Sequence, residues 1–376
     1  MNFFYEYEKI NNTKLQEYIT RNLALHNYFS FKKNAIYTKN YCGMLQVEDD
    51  VFFILPKIAN QENQNLKTFI YMFIIANDLK LKNEEIASLE NLNIHFFLEA
   101  LIQLFARRLI EELRFGVYRS YVLQEERLRS IKGAYLVLEN SMSFDKTKIH
   151  CRYDEFSSDN ILNRFFLYAI DIFTNFTQDK KQLFECAYIL GETQKTQIDI
   201  NRVGFHFDRL SSRYQPSYEM AMLLLKHLVP TFTAGQKGFA FLFDMNELFE
   251  RFVAKIAKEI DPSIKVQYSK SFGNLQLQPD IMTDTMIIDT KYKKIRSKEE
   301  INTADKYQMF AYGQNFKKDT MLLYPKHLYD IDTTLTLGVG EESVRMEVRS
   351  LELDCGDIGF KDYWKTMKKR VERIVR

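Results

Sequence analysis

The four cysteines, Cys42, Cys151, Cys186 and Cys355, form no CxxC pair, and the six histidines form no HxxxH or HExxH pair. A structural zinc site therefore lacks its ligand spacing, and reduced cytosolic thiols are the default. Glycine and proline are scarce, at 13 and 6 residues, which excludes long flexible linkers and predicts a compact chain. The longest apolar run, residues 69–76, is far too short to span a bilayer. The opening MNFFYEYEKI has neither the basic segment nor the apolar core of a signal peptide, so the expected location is cytoplasmic. An excess of one charge is missing too: 52 Lys and Arg face 50 Asp and Glu, so any surface for nucleic acid has to be local. There is no internal repeat and no low-complexity segment.

What is abundant is apolar and aromatic side chain, 46% hydrophobic with 31 Phe and 22 Tyr, and a chain of 376 residues favours two domains. The first sixty residues read as a β meander, with extended runs at 35–41, 44–47 and 51–55, the last stopped by Pro56. Residues 66–79 and 92–113 carry apolar side chains three and four apart, with Phe96, Phe97, Ala100, Leu101, Leu104 and Leu109 on one stripe, and predict helices. From 118 to 151 the pattern is extended again. Arg127, Arg129 and Lys132 there mark either a basic loop that reaches a partner or DNA, or a strand edge protected by charge. Helices are expected at 158–176, with Asp159 as its cap, and at 216–228. A Gly-bounded turn at 235–238 precedes the extended run 239–243, and an amphipathic helix runs from near Asp244 to Pro262. The terminal stretch 361–376 carries seven Lys or Arg around Trp364, Met367, Val371 and Ile374. It reads as a helix whose basic face either follows a phosphate backbone, with Lys368, Lys369 and Arg370 as DNA-contact candidates, or is simply solvated.

The chemistry concentrates after the 244–262 helix. Three antiparallel strands are expected, at 266–272, 275–282 and 286–293, separated by turns at Gly273-Asn274 and 283–285. Alternation along the last strand sends Asp289, Lys291 and Lys293 to one face and Ile288, Thr290 and Tyr292 to the other. The hairpin can bring Asp280 beside Asp289. Two adjacent carboxylates repel each other, and a bound hard cation is the usual way that such a pair stays ionised. Mg²⁺ fits best, with Mn²⁺ as the alternative. Lys291 would stabilise the attacking water or the developing charge on phosphorus, which makes phosphodiester hydrolysis the expected reaction. A Pro-Asp followed by Asp-x-Lys also occurs in charged surface hairpins. Here, however, Asp289 ends the apolar run 286–288, where an ionised side chain needs a reason to sit.

Two elements accompany this pair. On the preceding helix the stripe of Met245, Leu248, Phe249, Phe252, Val253, Ile256 and Ile260 leaves Glu250 at the border of the apolar face and Glu247 in solvent. Glu250 is the candidate third carboxylate, and an exposed helical Glu paired with Arg251 or Lys255 is the alternative. Further on, Gln308 and Tyr312 lie four apart on a helical face, within reach of the carboxylate strand or of a DNA phosphate.

The ordered set of helix, Pro-Asp, Asp-x-Lys and Gln-xxx-Tyr resembles RecB-like nucleases of the PD-(D/E)XK class. FLFDMNELFERFV (241–253), LQPDI (277–281), IIDTKYK (287–293) and YQMFAYG (307–313) together look like McrC, the nuclease subunit of the McrBC modification-dependent restriction system. GMLQ (43–46), ILPKI (54–58) and YDEFSSDNILNRFF (153–166) extend the likeness over most of the length, and no motif departs from the pattern. The resemblance implies Asp280 and Asp289 as metal-binding carboxylates, together with the Thr290 main-chain carbonyl and with Glu250 as a further candidate. It makes Lys291 the catalytic lysine, Gln308 and Tyr312 supporting residues, and Lys293 and Lys294 candidates for DNA contact.

What the resemblance implies about architecture is an α+β protein. Residues 1–150 would form a β-rich adaptor with helices, and residues 151–376 a helical region plus a restriction-endonuclease-like domain with a mixed sheet flanked by helices. It further implies a partner, an McrB-like AAA+ GTPase hexamer on which the N-terminal half docks and whose GTPase it stimulates. The substrate would be double-stranded DNA bearing modified cytosine, with contact between nuclease subunits when both strands are cut. GTP would belong to the partner, since this chain contains no GxxxxGK[ST] phosphate loop. Two other readings are a stand-alone RecB-like nuclease, and a non-catalytic activator of a ring NTPase that uses the nuclease fold for DNA contact alone.

Overall fold

The computed structural model describes residues 2–33, 35–48, 50–58, 62–79, 81–90, 97–233, 236–327 and 330–376. The chain is mixed α+β, as expected, and divides into two compact units: Met1–Leu92 with Val229–Arg376, and Asn93–Leu228. This corrects the expected division at residue 150. The reason is a strand pairing between segments far apart in sequence: Gln236–Asp244 lies antiparallel to Tyr41–Val47, from Gly238 opposite Val47 to Asp244 opposite Tyr41. Gly43 permits the approach, because at its φ of 141° a Cβ would overlap the Phe241 carbonyl.

The expected meander is present only in part: its runs form the strands Ala35–Thr38, Tyr41–Val47 and Asp50–Leu55, but Ala35–Thr38 pairs with Phe29–Lys32 in a separate ribbon and only the other two pair with each other. Its last two strands join Asn2–Tyr5, Gln236–Asp244 and Leu228–Thr233 in a sheet of five strands among the described residues. Asn2–Tyr5 runs parallel to Asp50–Leu55 at one edge. The predicted turn at 235–238 and the stripe residue Phe96 fall partly or wholly outside the described residues.

The second sheet of this unit has six strands among the described residues, in the order Lys265–Val266, Ile281–Met282, Met286–Thr290, Asp319–Lys326, Val344–Glu352 and Asp332–Leu337. It is mixed: Met286–Thr290 pairs antiparallel with Ile281–Met282 and parallel with Asp319–Lys326. The parallel connection is made by the helix Thr303–Phe316, whose Met309 and Tyr312 pack with Ile287, Leu322 and Met346. The helix Met245–Ile260 starts at Asp244, whose side chain accepts from the Asn246 N–H. It buries Leu248, Phe249, Phe252, Val253 and Ile256. Phe249 meets Tyr292, and Phe252 meets Tyr363 of the terminal helix Phe360–Val375.

Two of the three expected long strands are interrupted, and the third ends at Thr290. Lys270–Phe272 and Leu275–Leu277 form a separate two-stranded ribbon, split from the main sheet at Gln267, which has a φ of 50°, and at Pro279, which has no N–H to donate to a ladder.

In the second unit the helices Phe97–Arg114, Ile161–Phe173, Lys181–Ile189 and Gln215–His227 surround Phe105, Phe165, Phe166 and Phe173. The cap at the start of Ile161–Phe173 is Asn160, which accepts from the Asn163 N–H at 3.1 Å, rather than Asp159. Asp159 is held instead by two 2.7 Å hydrogen bonds from Arg164. The region 118–151 contains the edge strand Ser120–Leu128, where Arg127 pairs with Asp145. Among the described residues no helix is long and apolar enough to cross a membrane, and all four cysteines are free and buried.

Candidate active site

The register of the hairpin determines the meeting of the two aspartates. Ile281 stands opposite Ile288, so Asp280 continues the pairing beside Asp289 and Thr290. Asp280 Oδ2 accepts the Thr290 N–H and the Thr290 hydroxyl, each at 2.8 Å, which binds the end of one strand to the other. Asp289 follows the apolar pair Ile287–Ile288 and is 1% exposed. Lys291 continues the strand direction, its N–H donating to the Leu323 carbonyl at 2.9 Å.

The Lys291 ammonium joins the two halves of the site. It sits 2.7 Å from Asp289 Oδ2 and donates to Gln308 Oε1 at 3.1 Å. Gln308 Nε2 donates to the Tyr312 hydroxyl, and that hydroxyl donates to the Gln278 carbonyl, each at 3.0 Å. The helical pair four residues apart thus holds the lysine and is itself anchored to Gln278. Glu250 faces the aspartates from the preceding helix, while Glu247 is exposed and pairs with Arg251 at 3.4 Å.

Burial and mutual repulsion dominate the electrostatics. Burial, and then the charge of Asp280, pushes the Asp289 carboxyl up to about 7. Burial raises Asp280 too, against the hydrogen bonds from Thr290. Glu250 is pushed up to about 7 by burial, then by Asp280. Burial works to lower the Lys291 ammonium, but Asp289 and the neighbouring carboxylates outweigh it and the net shift is upward. The lysine therefore stays charged.

These residues fit a hard cation. Asp289 Oδ2 is buried and accepts no hydrogen bond of normal geometry, although the Lys291 ammonium is close by. Lys291 supplies one positive charge against the two adjacent carboxylates Asp289 and Asp280, which leaves the pair in need of further positive charge if both are to be ionised. The donor set is all oxygen, which suits Mg²⁺ or Mn²⁺ rather than zinc. Among the described residues no three His, Cys, Asp or Glu side chains converge into a ready-made cage.

The basic candidates fare differently. Lys293 pairs with the buried Asp305 at 2.9 Å. Lys368 pairs with Glu259 at 2.8 Å, and Arg370 donates to the Glu352 carbonyl at 2.6 Å. Lys294 and Lys369 are exposed. In the terminal helix Tyr363, Met367 and Val371 are the buried stripe, and Trp364 and Ile374 are partly exposed. Sequence reasoning missed Gln267, which bridges Glu250 and Asp280, and Asp305. Only the positive φ at Gln267 marks it, and that has no sequence signal.

The fold and site thus define an α+β protein with two carboxylates and a lysine at the end of a strand in a mixed sheet. The chain belongs to the family of McrBC 5-methylcytosine restriction system components, whose family model matches residues 36–325. Its fold is similar to that of a chain in a refined half-complex from a tetradecameric assembly of Thermococcus gammatolerans McrB AAA+ hexamers with bound McrC, with a TM-score of 0.60, 19% identity and 99% of each chain covered. A chain of the cryo-EM structure of the Thermococcus gammatolerans McrBC complex is similar at 24% identity, with a TM-score of 0.48, over 69% of this chain and 87% of that one. No curated protein matches the chain in sequence.

Proposed function

We propose that this chain is the McrC-type subunit of its system, a PD-(D/E)XK nuclease that cleaves double-stranded DNA with modified cytosine in company with an McrB-like AAA+ GTPase. The observation that carries the nuclease reading is the Lys291 ammonium, held between Asp289 at 2.7 Å and Gln308 at 3.1 Å, with Asp280 adjoining. Asp280, Asp289 and the Thr290 carbonyl would hold a divalent cation. When bound, Mg²⁺ supplies Lewis-acid charge to the scissile phosphate and lowers the pKa of a coordinated water.

The chain's own residues do the rest. Lys291, kept protonated by its carboxylate neighbours, offers a fixed positive charge to the phosphate as negative charge develops in the transition state. Gln308 and Tyr312 limit the lysine to one direction, so little reorganisation is required during the reaction. Glu250, with a carboxyl near neutrality, can orient a water and take its proton at physiological pH.

Support for docking on the GTPase comes from the second unit, whereas stimulation of GTP hydrolysis rests on the family resemblance alone. Tyr121, Leu123 and Phe156 lie on one exposed face of the strands Ser120–Leu128 and Ile149–Ser157, and Leu138, Met142 and Phe144 are also exposed. Large apolar side chains grouped on a surface mark a contact with another protein.

The test is cleavage of cytosine-methylated and unmethylated plasmid with and without the McrB-like partner, GTP and Mg²⁺, comparing wild type with Asp289→Ala. Cutting that needs methylation, partner, GTP and Asp289 is expected. Cutting by the chain alone, still dependent on Asp289, would make it a stand-alone nuclease, and cutting unaffected by the substitution would remove the site assignment.

A further inference from the structure

Gln267 stands in the break between Lys265–Val266 and Lys270–Phe272, at the solvent-facing rim of the site, with a φ of 50°. Residues with side chains rarely adopt that conformation, and where they do, the surroundings must hold them. The hold here is the Gln267 N–H, which donates to the Asp280 carbonyl at 2.9 Å. From that anchor the side-chain Nε2 donates to Glu250 Oε1 in a short contact and reaches Asp280 Oδ1 at 3.4 Å. Its Oε1 accepts from Gln278 Nε2 at 2.5 Å. The amide orientation follows from its neighbours, two acceptors on one side and a donor on the other.

Two carboxylates that face each other at neutral pH require a proton, a cation or a hydrogen-bond donor between them. At Glu250 and Asp280 a neutral amide supplies the donor. At Asp289 the Lys291 ammonium stands 2.7 Å from Oδ2, and among the described residues no hydrogen bond of normal geometry reaches that oxygen. We propose, resting on the reading that Asp280 and Asp289 hold a hard divalent cation, that Gln267 is a positioning residue that fills the interval between Glu250 and Asp280, so that each chain takes one divalent ion on the Asp289 side and Glu250 is left to orient water. A second ion in that interval would meet the amide hydrogens, and the side chain would have to give up its bonds to Glu250, Asp280 and Gln278 to admit it.

The experiment counts Mn²⁺ bound by the full chain without DNA, by the electron paramagnetic resonance signal of the free ion and by calorimetry. Wild type is expected to bind one ion, and Asp289→Asn to lose it. Gln267→Glu replaces the donor by a third carboxylate and is expected to bind two. Gln267→Gly removes the amide while relaxing the positive φ, and is expected to gain a second, weaker ion even if the glutamate variant does not fold. Two ions in wild type, or one ion in both folded Gln267 variants, would overturn the inference and leave the nuclease reading standing. No ion in wild type would overturn the metal reading itself and this inference with it.

Discussion

The Tyr292 hydroxyl donates a 3.1 Å hydrogen bond to Glu6 Oε1, which ties the residue after Lys291 to the turn that follows the first strand. The same Oε1 accepts the Lys57 N–H at 3.1 Å, and Oε2 is buried with no hydrogen-bond partner among the described residues. Because Tyr292 points to the face opposite Asp289 and Lys291, this contact supports the carboxylate strand from behind. The first strand and the C-terminal segment that carries Asp289 and Lys291 are parts of one folding unit for this reason as well as through the strand pairing at Tyr41–Val47.

Tyr292→Phe keeps the ring against Phe249 but removes one of the two donors to a buried carboxylate. A loss of ~1–3 kcal/mol of stability is expected, from the cost of leaving a buried polar group short of a partner. Urea unfolding followed by tryptophan fluorescence or circular dichroism checks it, and an unchanged midpoint would mean that the hydrogen bond contributes nothing.

Glu6 also predicts a pH dependence. It is 2% exposed. Burial raises its carboxyl from an ordinary 4.5 to about 7 in the folded protein. The folded state then holds a proton that the unfolded state has already released, so stability from this group is present below 4.5 and is lost as the pH rises through about 7. Glu6→Gln should flatten the fall between those limits. Melting temperatures of both proteins across that range, without divalent ions, decide the matter; parallel curves would exclude Glu6 as the source.

Lys291→Gln keeps a polar side chain and removes the charge. With the fixed positive charge absent from the transition state, cleavage is expected to fall ~10²–10³-fold, the usual effect of losing one electrostatic donor at developing negative charge. Single-turnover cleavage with saturating partner measures it, and a loss under about threefold, within the scatter of an indirect effect, would count against the assigned role.

Addition of Mg²⁺ should raise the melting temperature of wild type and leave that of Asp289→Asn unchanged, because an ion that binds only the folded state stabilises it by RT ln(1 + [L]/Kd). The readout needs no DNA and no partner. Equal shifts in the two proteins would place ion binding elsewhere.

Tyr312→Phe removes the hydroxyl that holds Gln308 and reaches the Gln278 carbonyl, without touching either aspartate. Cleavage is expected to fall about tenfold, from loss of orientation at Lys291, while Mn²⁺ affinity stays the same. A change in ion affinity as large as the change in rate would show that the tyrosine acts through the carboxylates instead.

Local pattern carries far in this chain because the interactions it encodes are local. The periodicity and the Asp244 cap mark the helix Met245–Ile260, and two-residue alternation sends Asp289 and Lys291 to one face and Tyr292 to the other. The four-residue spacing of Gln308 and Tyr312 likewise leads to a direct hydrogen bond. The ends of the strands were less legible. A left-handed backbone at Gln267 and the missing donor at Pro279 break what reads as continuous β structure. The cap at Asn160 lies one residue from the expected one, where Asp159 has a stronger partner in Arg164.

The amino-acid sequence by itself determined which side chains share a face, since helix and strand periods depend only on backbone geometry, and so it put Asp289 and Lys291 together and Gln308 beside Tyr312, while Asp305 had no such signal. Tertiary structure alone decided what each of those groups meets across space. It spends Lys368 on Glu259, Arg370 on the Glu352 carbonyl and Lys293 on Asp305, and it brings Gln267 between Glu250 and Asp280. It also joins Gln236–Asp244 to Tyr41–Val47, which makes one folding unit from the two ends of the chain. Such pairings depend on which surfaces pack together, and packing is set by burial over the whole unit rather than by the spacing of neighbours along the chain.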